Sequence, residues 1–260
     1  MKIYFSLFLL PLLILACTTS PTGRNQLLLM GNRQMSDMGD QSFEQMQKEV
    51  PISRNSKDNR YVRCITDRLL SAIGENPRSW KVRIFQDKSL NAFALPGKNI
   101  GVHTGMLNFA QSQHQLAAVI GHEIGHVLAN HGNERVSQAL VTQLGLQATE
   151  VALGSERSEK NNLILAGLGL GAQFGVLLPF SRKHESEADL LGLEYMSKAG
   201  FNPRGAVELW QNMASNSKGS PPEILSTHPA NSTRIRNLSR HLSKYTPIYQ
   251  ATPNKPQCLR

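Results

Sequence analysis

The chain has 260 residues, enough for one sizeable domain that can bury its core without metal or disulfide staples, so a metal site in it points to catalysis rather than to structure. Charged residues make up 18% of the chain and the net charge is +9, a balance that suits anionic partners. The lysines and arginines are nevertheless spread along the chain and form no basic, aromatic-bearing module, which excludes nucleic acid as a partner.

Met1 and Lys2 form a short positive segment, and residues 4–15 form an apolar run too short to span a membrane comfortably. The run ends in Ile14-Leu15-Ala16-Cys17, which resembles the bacterial lipobox, with Cys17 as the acylated residue. Residues 1–16 are therefore expected to be a lipoprotein signal peptide and residues 17–30 a lipidated polar tether. By resemblance to sorted lipoproteins, Thr18 in place of Asp implies the outer membrane, with the protein anchored by lipid and facing the periplasm. Residues 31–245 make up the expected catalytic domain and 246–260 a C-terminal tail.

Met35, Met38, Phe43 and Met46 recur near helical spacing, as do Val62, Ile65, Leu69 and Ile73, which predicts two helices with ordinary core faces. Trp80, Val82 and Ile84 alternate with Lys81 and Arg83, and extended runs at 91–95 and 99–104 flank the turn Pro96-Gly97. Together they predict a small antiparallel sheet. The run 99–104 is the expected sheet edge for pairing with substrate backbone. Residues 113–130 read as a helix apolar nearly all round, hence buried, with Ser112 as N-cap and Gly132 as its stop. Apolar segments follow at 136–153 and 162–178; four glycines and Gln173 argue against a membrane span in the second. Helices are expected at 182–199, closed by Gly200, from Asn202-Pro203 to about Met213, and at 229–242, with a loop at 214–222 that could gate a cleft. Besides Cys17, only Cys64 and Cys258 remain. An even count in an oxidising compartment predicts that they pair, and so long a closed loop is worth roughly 4–5 kcal/mol if unstrained.

The buried helix carries His122-Glu123-Ile124-Gly125-His126. Side chains four apart stand one above the other on a helix, so the two imidazoles can share one Zn²⁺ at about 2.0–2.1 Å. Glu123, one position round, can serve as general base toward a water acidified by the metal. Three polar groups in a buried helix are costly unless a metal or hydrogen bonds satisfy them. The positions three and six after His126 are Ala129 and Gly132, which rules out a third histidine of the metzincin type. The best source of a third ligand is Glu185-Ser-Glu187-Ala-Asp189, where Glu185 and Asp189 share a face. One of them can bind zinc while the other receives the N–H of a ligand histidine. Glu187 points elsewhere, as a salt-bridge or solvent residue. His103, His114, His131, His184 and His241 lack partners at ligand spacing and read as surface or packing residues.

The sequence resembles the HtpX/Oma-type zinc metallopeptidases, relatives of the CAAX prenyl protease, and within them the soluble bacterial LoiP-like lipoprotein branch. The resemblance rests on Asn91-Ala-Phe-Ala-Leu-Pro-Gly, Thr104-Gly105, His122 to His126, Leu178-Pro-Phe-Ser-Arg182, Glu185 to Asp189, Thr227-His228-Pro229 and Arg234-Ile235. It implies a mainly α, α+β gluzincin fold with a small antiparallel sheet packed on the HExxH helix. It also implies one zinc per chain held by His122, His126 and Glu185, with Glu123 as base and Asp189 behind the ligands. His228 matches a position that serves relatives as an extra, displaceable ligand or a substrate contact. Arg234 matches one that stabilises the oxyanion or fixes a carboxylate. The implied activity is endoproteolysis of unfolded or misfolded envelope proteins, with outer-membrane proteins or their assembly machinery as partners. The alternative is a chaperone-like lipoprotein with a closed, regulated zinc site.

Overall fold

A computed structural model describes residues 17–153, 180–216, 224, 228 and 232–260. The expected signal peptide, the apolar segment 162–178 and residues 217–222 of the expected loop 214–222 lie outside the described residues, while 214–216 are helical. The fold is α+β and mainly helical, and the centre of the molecule is a helix rather than a sheet.

In chain order, the described elements begin with a hairpin of β1 (Cys17–Thr19) and β2 (Asn25–Leu27), followed by α1 (Asn32–Glu49) and α2 (Ser56–Ala72). Next come β3 (Lys81–Phe85), β4 (Ala92–Leu95), β5 (Asn99–His103), α3 (Thr104–Phe109) and α4 (Gln113–Leu128). They end with α5 (His131–Leu153), α6 (Arg182–Lys198), α7 (Arg204–Asn216) and α8 (Ser232–Ala251). Among the described residues no helix is long and apolar enough to cross a membrane.

The helix α4 begins where Ser112 Oγ accepts the Gln115 N–H, and every residue from Gln115 to His126 is buried. Leu116, Ile120 and Ile124 are sealed in the core at about 1.5–3 kcal/mol each. The helix packs against α6, α7, α2 and β4. It stops at Asn130 rather than at Gly132, because Asn130 takes the left-handed conformation (φ 53°) that its short polar side chain tolerates. Gly132 instead lies in the first turn of α5, which starts at His131, five residues before the expected 136–153 segment.

The crossing of α4 and α6 is what positions the site. A Cβ placed on Gly192 would stand 3.0 Å from the His122 nitrogen, and one on Gly125 would stand 3.2 Å from the Ala188 carbonyl oxygen. The two backbones therefore approach at a seam without bulky side chains. That proximity brings the histidine pair on one helix against the carboxylates on the other.

Four expectations need correction. The three-stranded sheet is mixed: β4 and β5 form the expected antiparallel hairpin, but β3 runs parallel to β5. Its order is β3-β5-β4, so the 99–104 run is the central strand and not the edge. All five residues of β5 are buried, as a strand covered on both sides requires. The two edges are β3 and β4, and of these β4 packs on α4. Residues 17–30 are no free tether, since they fold as a hairpin bonded to α5 and α6. Finally, the last helix runs past Leu242, through Pro247, to Ala251. Beyond it a disulfide joins Cys64 of α2 to Cys258, and Arg260 pairs with Asp58, so the tail is pinned to α2.

Candidate metal centre

His122 and His126 point their Nε2 atoms at each other across 3.0 Å. Glu185 on α6 and His228 complete a buried group whose donor atoms all lie within 4.8 Å of one another. Ligands held at about 2.0–2.1 Å around a tetrahedral ion stand about 3.3 Å apart. The observed separations scatter around that value. His122 Nε2 is 3.3 Å from His228 Nδ1 and 3.5 Å from Glu185 Oε2, His126 Nε2 is 3.4 Å from Glu185 Oε1, and His228 Nδ1 is 2.9 Å from Glu185 Oε1. Three imidazoles and a carboxylate suit zinc, and the spacing fits one such ion.

The far nitrogens are committed elsewhere, which fixes the tautomers. His122 Nδ1 lies 3.0 Å from Asp189 Oδ1 and donates to it, so in the neutral ring the lone pair is on Nε2. Asp189 accepts two bonds from Arg234, at 2.6 and 2.8 Å, and Arg234 Nη1 reaches Glu185 Oε2 at 2.5 Å. The guanidinium stacks 3.8 Å from the Trp210 ring. Arg234 thus fixes two carboxylates at once. His126 Nδ1 lies 2.9 Å from His131 Nδ1, and His131 Nε2 lies 3.1 Å from Glu187 Oε2.

Glu123 is sealed beside the group. Its Oε2 accepts the Ala94 N–H at 3.2 Å, while the buried Oε1 has no hydrogen-bond partner and faces His228 Nε2 at 3.5 Å. Burial pushes its carboxyl above the usual range. Burial acts on Glu185 in the same sense, but Arg234 and His228 overcome it and hold that carboxyl well below the usual range. The two carboxyls are thereby shifted in opposite directions by their surroundings. Burial pushes His126 well below the ordinary imidazole value, which favours the neutral, metal-binding form.

Next to His126 opens a cleft of about 260 Å³, lined by Met35, Leu95, Pro96, Val136 and Phe180 among others. The Phe180 ring lies 3.9 Å from His126 and 5.1 Å from His228, centroid to centroid. The cleft borders the free side of β4. His103 N donates to Asn91 O, and the alternation that follows turns the N–H and C=O of Ala94 away from β5 toward the site.

All the residues singled out around the HExxH motif come together: His122, Glu123, His126, Glu185, Asp189, His228 and Arg234 are all buried here. Two residues read only as packing or salt-bridge positions, His131 and Glu187, also belong to the site. His131 is fully buried against His126, and Glu187 is buried rather than solvated, gripping His131 and Arg24. His184 also lies in this layer, 3.1 Å from Glu134. His131 lies close to the motif in sequence, whereas Arg24, the partner of Glu187, lies 163 residues from it in the chain.

Residues 56–242 match peptidase family M48. The chain is similar to the mitochondrial metalloendopeptidase OMA1 of Schizosaccharomyces pombe, 35% identical over 186 residues that cover 70% of this chain and 52% of that protein. It is 31% identical over 232 residues to the human OMA1 metalloendopeptidase, covering 84% and 44%. It is 25% identical over 221 residues to the beta-barrel assembly-enhancing protease of Escherichia coli, covering 83% and 45%. The chain spans about half the length of these curated relatives.

Proposed function

The chain belongs to peptidase family M48, and from that premise we propose that it is a zinc-dependent endopeptidase acting on unfolded or misfolded envelope proteins. The observation that carries this reading is the tetrahedral spacing of the four donors with Glu123 beside them. His122, His126 and Glu185 would hold the ion, and Asp189 would brace His122. A bound zinc ion supplies Lewis-acid polarisation of the scissile carbonyl and lowers the pKa of an attacking water. Glu123 takes the proton of that water on its unpartnered Oε1 and returns it to the leaving amine, a transfer its raised pKa favours. The Ala94 N–H holds the other oxygen in place. Substrate backbone lies along the free edge of β4, a mode that reads main chain more than side chains and suits unfolded clients.

Lipid attachment at Cys17 and an outer-membrane, periplasm-facing location are part of the same proposal, supported by the first seventeen residues of the sequence. Outer-membrane proteins or their assembly machinery as partners are supported by similarity to a protease named for enhancing beta-barrel assembly. A second reading also has an observation in its favour. His228 stands where a fourth ligand would, so the resting site is closed and opens when His228 moves aside.

Casein cleavage by the protein without its lipid anchor, with zinc content, beside Glu123→Gln tests the proposal. The expected result is about one zinc in both proteins, with activity reduced by a factor of roughly 10²–10⁴ in the variant. Zinc without cleavage in either would favour the closed reading, which His228→Ala should then relieve. Absence of zinc from the wild type would overturn the proposal.

A further inference from the structure

The contacts behind His126 lead out of the motif, along the chain His131 and Glu187, to the N-terminal hairpin. In that hairpin Ser20 and Gly23 close a turn, with Gly23 N donating to Ser20 O at 2.9 Å and Gly23 at φ 85°. The turn delivers Arg24 and Thr22 to α6. Arg24 Nε donates to Glu187 Oε2 at 2.9 Å, and Thr22 Oγ1 donates to Glu187 Oε1 at 2.6 Å. The two terminal nitrogens of Arg24 clamp Glu134 of α5, each at 2.7 Å. Gln26, on β2, donates to Glu134 Oε2 at 2.9 Å and to the Ala129 carbonyl at 2.6 Å, which caps the end of α4 just beyond His126.

A carboxylate can only accept, so Glu187 requires a proton on His131 Nε2. Neutral His131 then has its lone pair on Nδ1 and must accept from His126 Nδ1. That leaves the His126 lone pair on Nε2, the atom that faces His122 and Glu185. One tautomer thus satisfies every bond in the series, and it is the one a metal ligand needs.

We propose that Arg24 is a positioning residue for the metal centre: the docked hairpin, acting through Glu187 and His131, fixes the orientation and tautomer of the His126 imidazole. The inference rests on the zinc reading of the site. It extends the site to a segment outside the matched family region of 56–242. A fully buried His131 and a Glu187 with both oxygens bonded leave the ring of His126 little freedom while the hairpin is docked. Undocking frees Glu187 to turn, and the constraint on His126 is lost.

The test is zinc affinity by chelator competition, with the visible spectrum of the cobalt(II)-substituted protein as a second readout. The proteins are wild type, Arg24→Ala, Arg24→Lys and a surface control, Arg78→Ala. Removing a direct partner of a metal ligand typically weakens binding by about 10- to 100-fold, and since Arg24 acts through two residues a loss at the low end, about tenfold, is expected for Arg24→Ala, with an altered cobalt spectrum. Arg24→Lys should recover only part of it, because one ammonium cannot hold two carboxylates as the fork does. Arg78→Ala should match wild type. Circular dichroism of the zinc-stripped proteins separates loss of fold from loss of affinity. Should Arg24→Ala not fold, Thr22→Val, which deletes one bond to Glu187, is expected to weaken zinc binding roughly threefold. Wild-type affinity and spectrum in a folded Arg24→Ala, or in Thr22→Val if that is the variant measured, overturn the inference and leave the peptidase proposal standing. Failure of the wild type to bind zinc overturns the proposal beneath it.

Discussion

His122 and His126 lie one turn apart on α4, yet they are braced by different parts of the molecule. Behind His122, Asp189 and Arg234 form a bracket in which one arginine bridges Glu185 and Asp189. Behind His126, His131 leads to a bracket in which Arg24 bridges Glu134 and Glu187. Both use a guanidinium fork to join two carboxylates. They differ in burial and in distance from the donors: the Arg234 side chain is 5% exposed and touches a candidate ligand, whereas Arg24 is 23% exposed and acts two residues removed. The inner bracket is thus part of the core, and the outer one is a clasp applied from the chain's N-terminal segment. The same chemical device serves stability in one place and adjustable positioning in the other.

The largest effect expected from this contrast is that of Arg234→Ala. It strands two buried carboxylates, and breaking a buried charge pair on one side typically costs about 3–5 kcal/mol. Urea unfolding of the zinc-free proteins would read this, and a loss below about 1 kcal/mol would erase the distinction between the brackets. Arg24→Ala should cost less, about 1–2 kcal/mol, because Arg24 is itself partly exposed, so water can take its place, and Glu134 and Glu187 keep His184, Gln26, His131 and Thr22 as partners. Combining the two substitutions sharpens the comparison. The arginines share no partner, so their costs should add within about 0.5 kcal/mol, and a larger coupling would mean that α6 transmits strain between the brackets.

The smallest effect is a pH dependence. Burial raises the Glu134 carboxyl, but bonds from His184, Arg24 and Gln26 outweigh it and hold it well below the usual range. A depressed carboxylate contributes stability that is complete above its unfolded pKa, about 4.3, and is lost as pH falls toward the folded value. The stability gap between wild type and Glu134→Gln should therefore be flat from pH 7 to about 5 and narrow below about 4. A gap that widens in acid would mean that Glu134 is not ionised in the folded protein.

The two brackets also differ in how far they could be read from sequence. His122, Glu123 and His126 are legible because helical geometry turns a spacing of four into a shared face, and Glu185 with Asp189 repeats that rule on a second helix. Glu187 lies two residues from Glu185, on the opposite side of the helix, and sequence cannot say whether that side is wet. His131 was out of reach for a different reason. Asn130 takes a left-handed turn between α4 and α5, which swings the next residue back under His126. Arg24 meets Glu187 across a sequence separation of 163, a pairing with no local signature. The misplaced sheet edge has the same origin, since strand order is a property of the assembled sheet. Locally, 99–103 even misleads, since Asn99, Gly101 and His103 alternate with Ile100 and Val102 as in a half-exposed strand.

The burial of α4 along nearly its whole length has a consequence for how the protein would release its ion. Backbone amides in such a helix exchange with solvent only when the whole domain opens, whereas a hairpin of two three-residue strands opens at far lower cost. His122 and His126 therefore ride on the segment that unfolds last. Escape of metal without global unfolding must begin with the partners that can leave: the hairpin behind His131, or His228 on the opposite side. Hydrogen exchange should find the amides of β1 and β2 unprotected long before those of residues 115–126, and the residence time of the ion should follow the former rather than the latter.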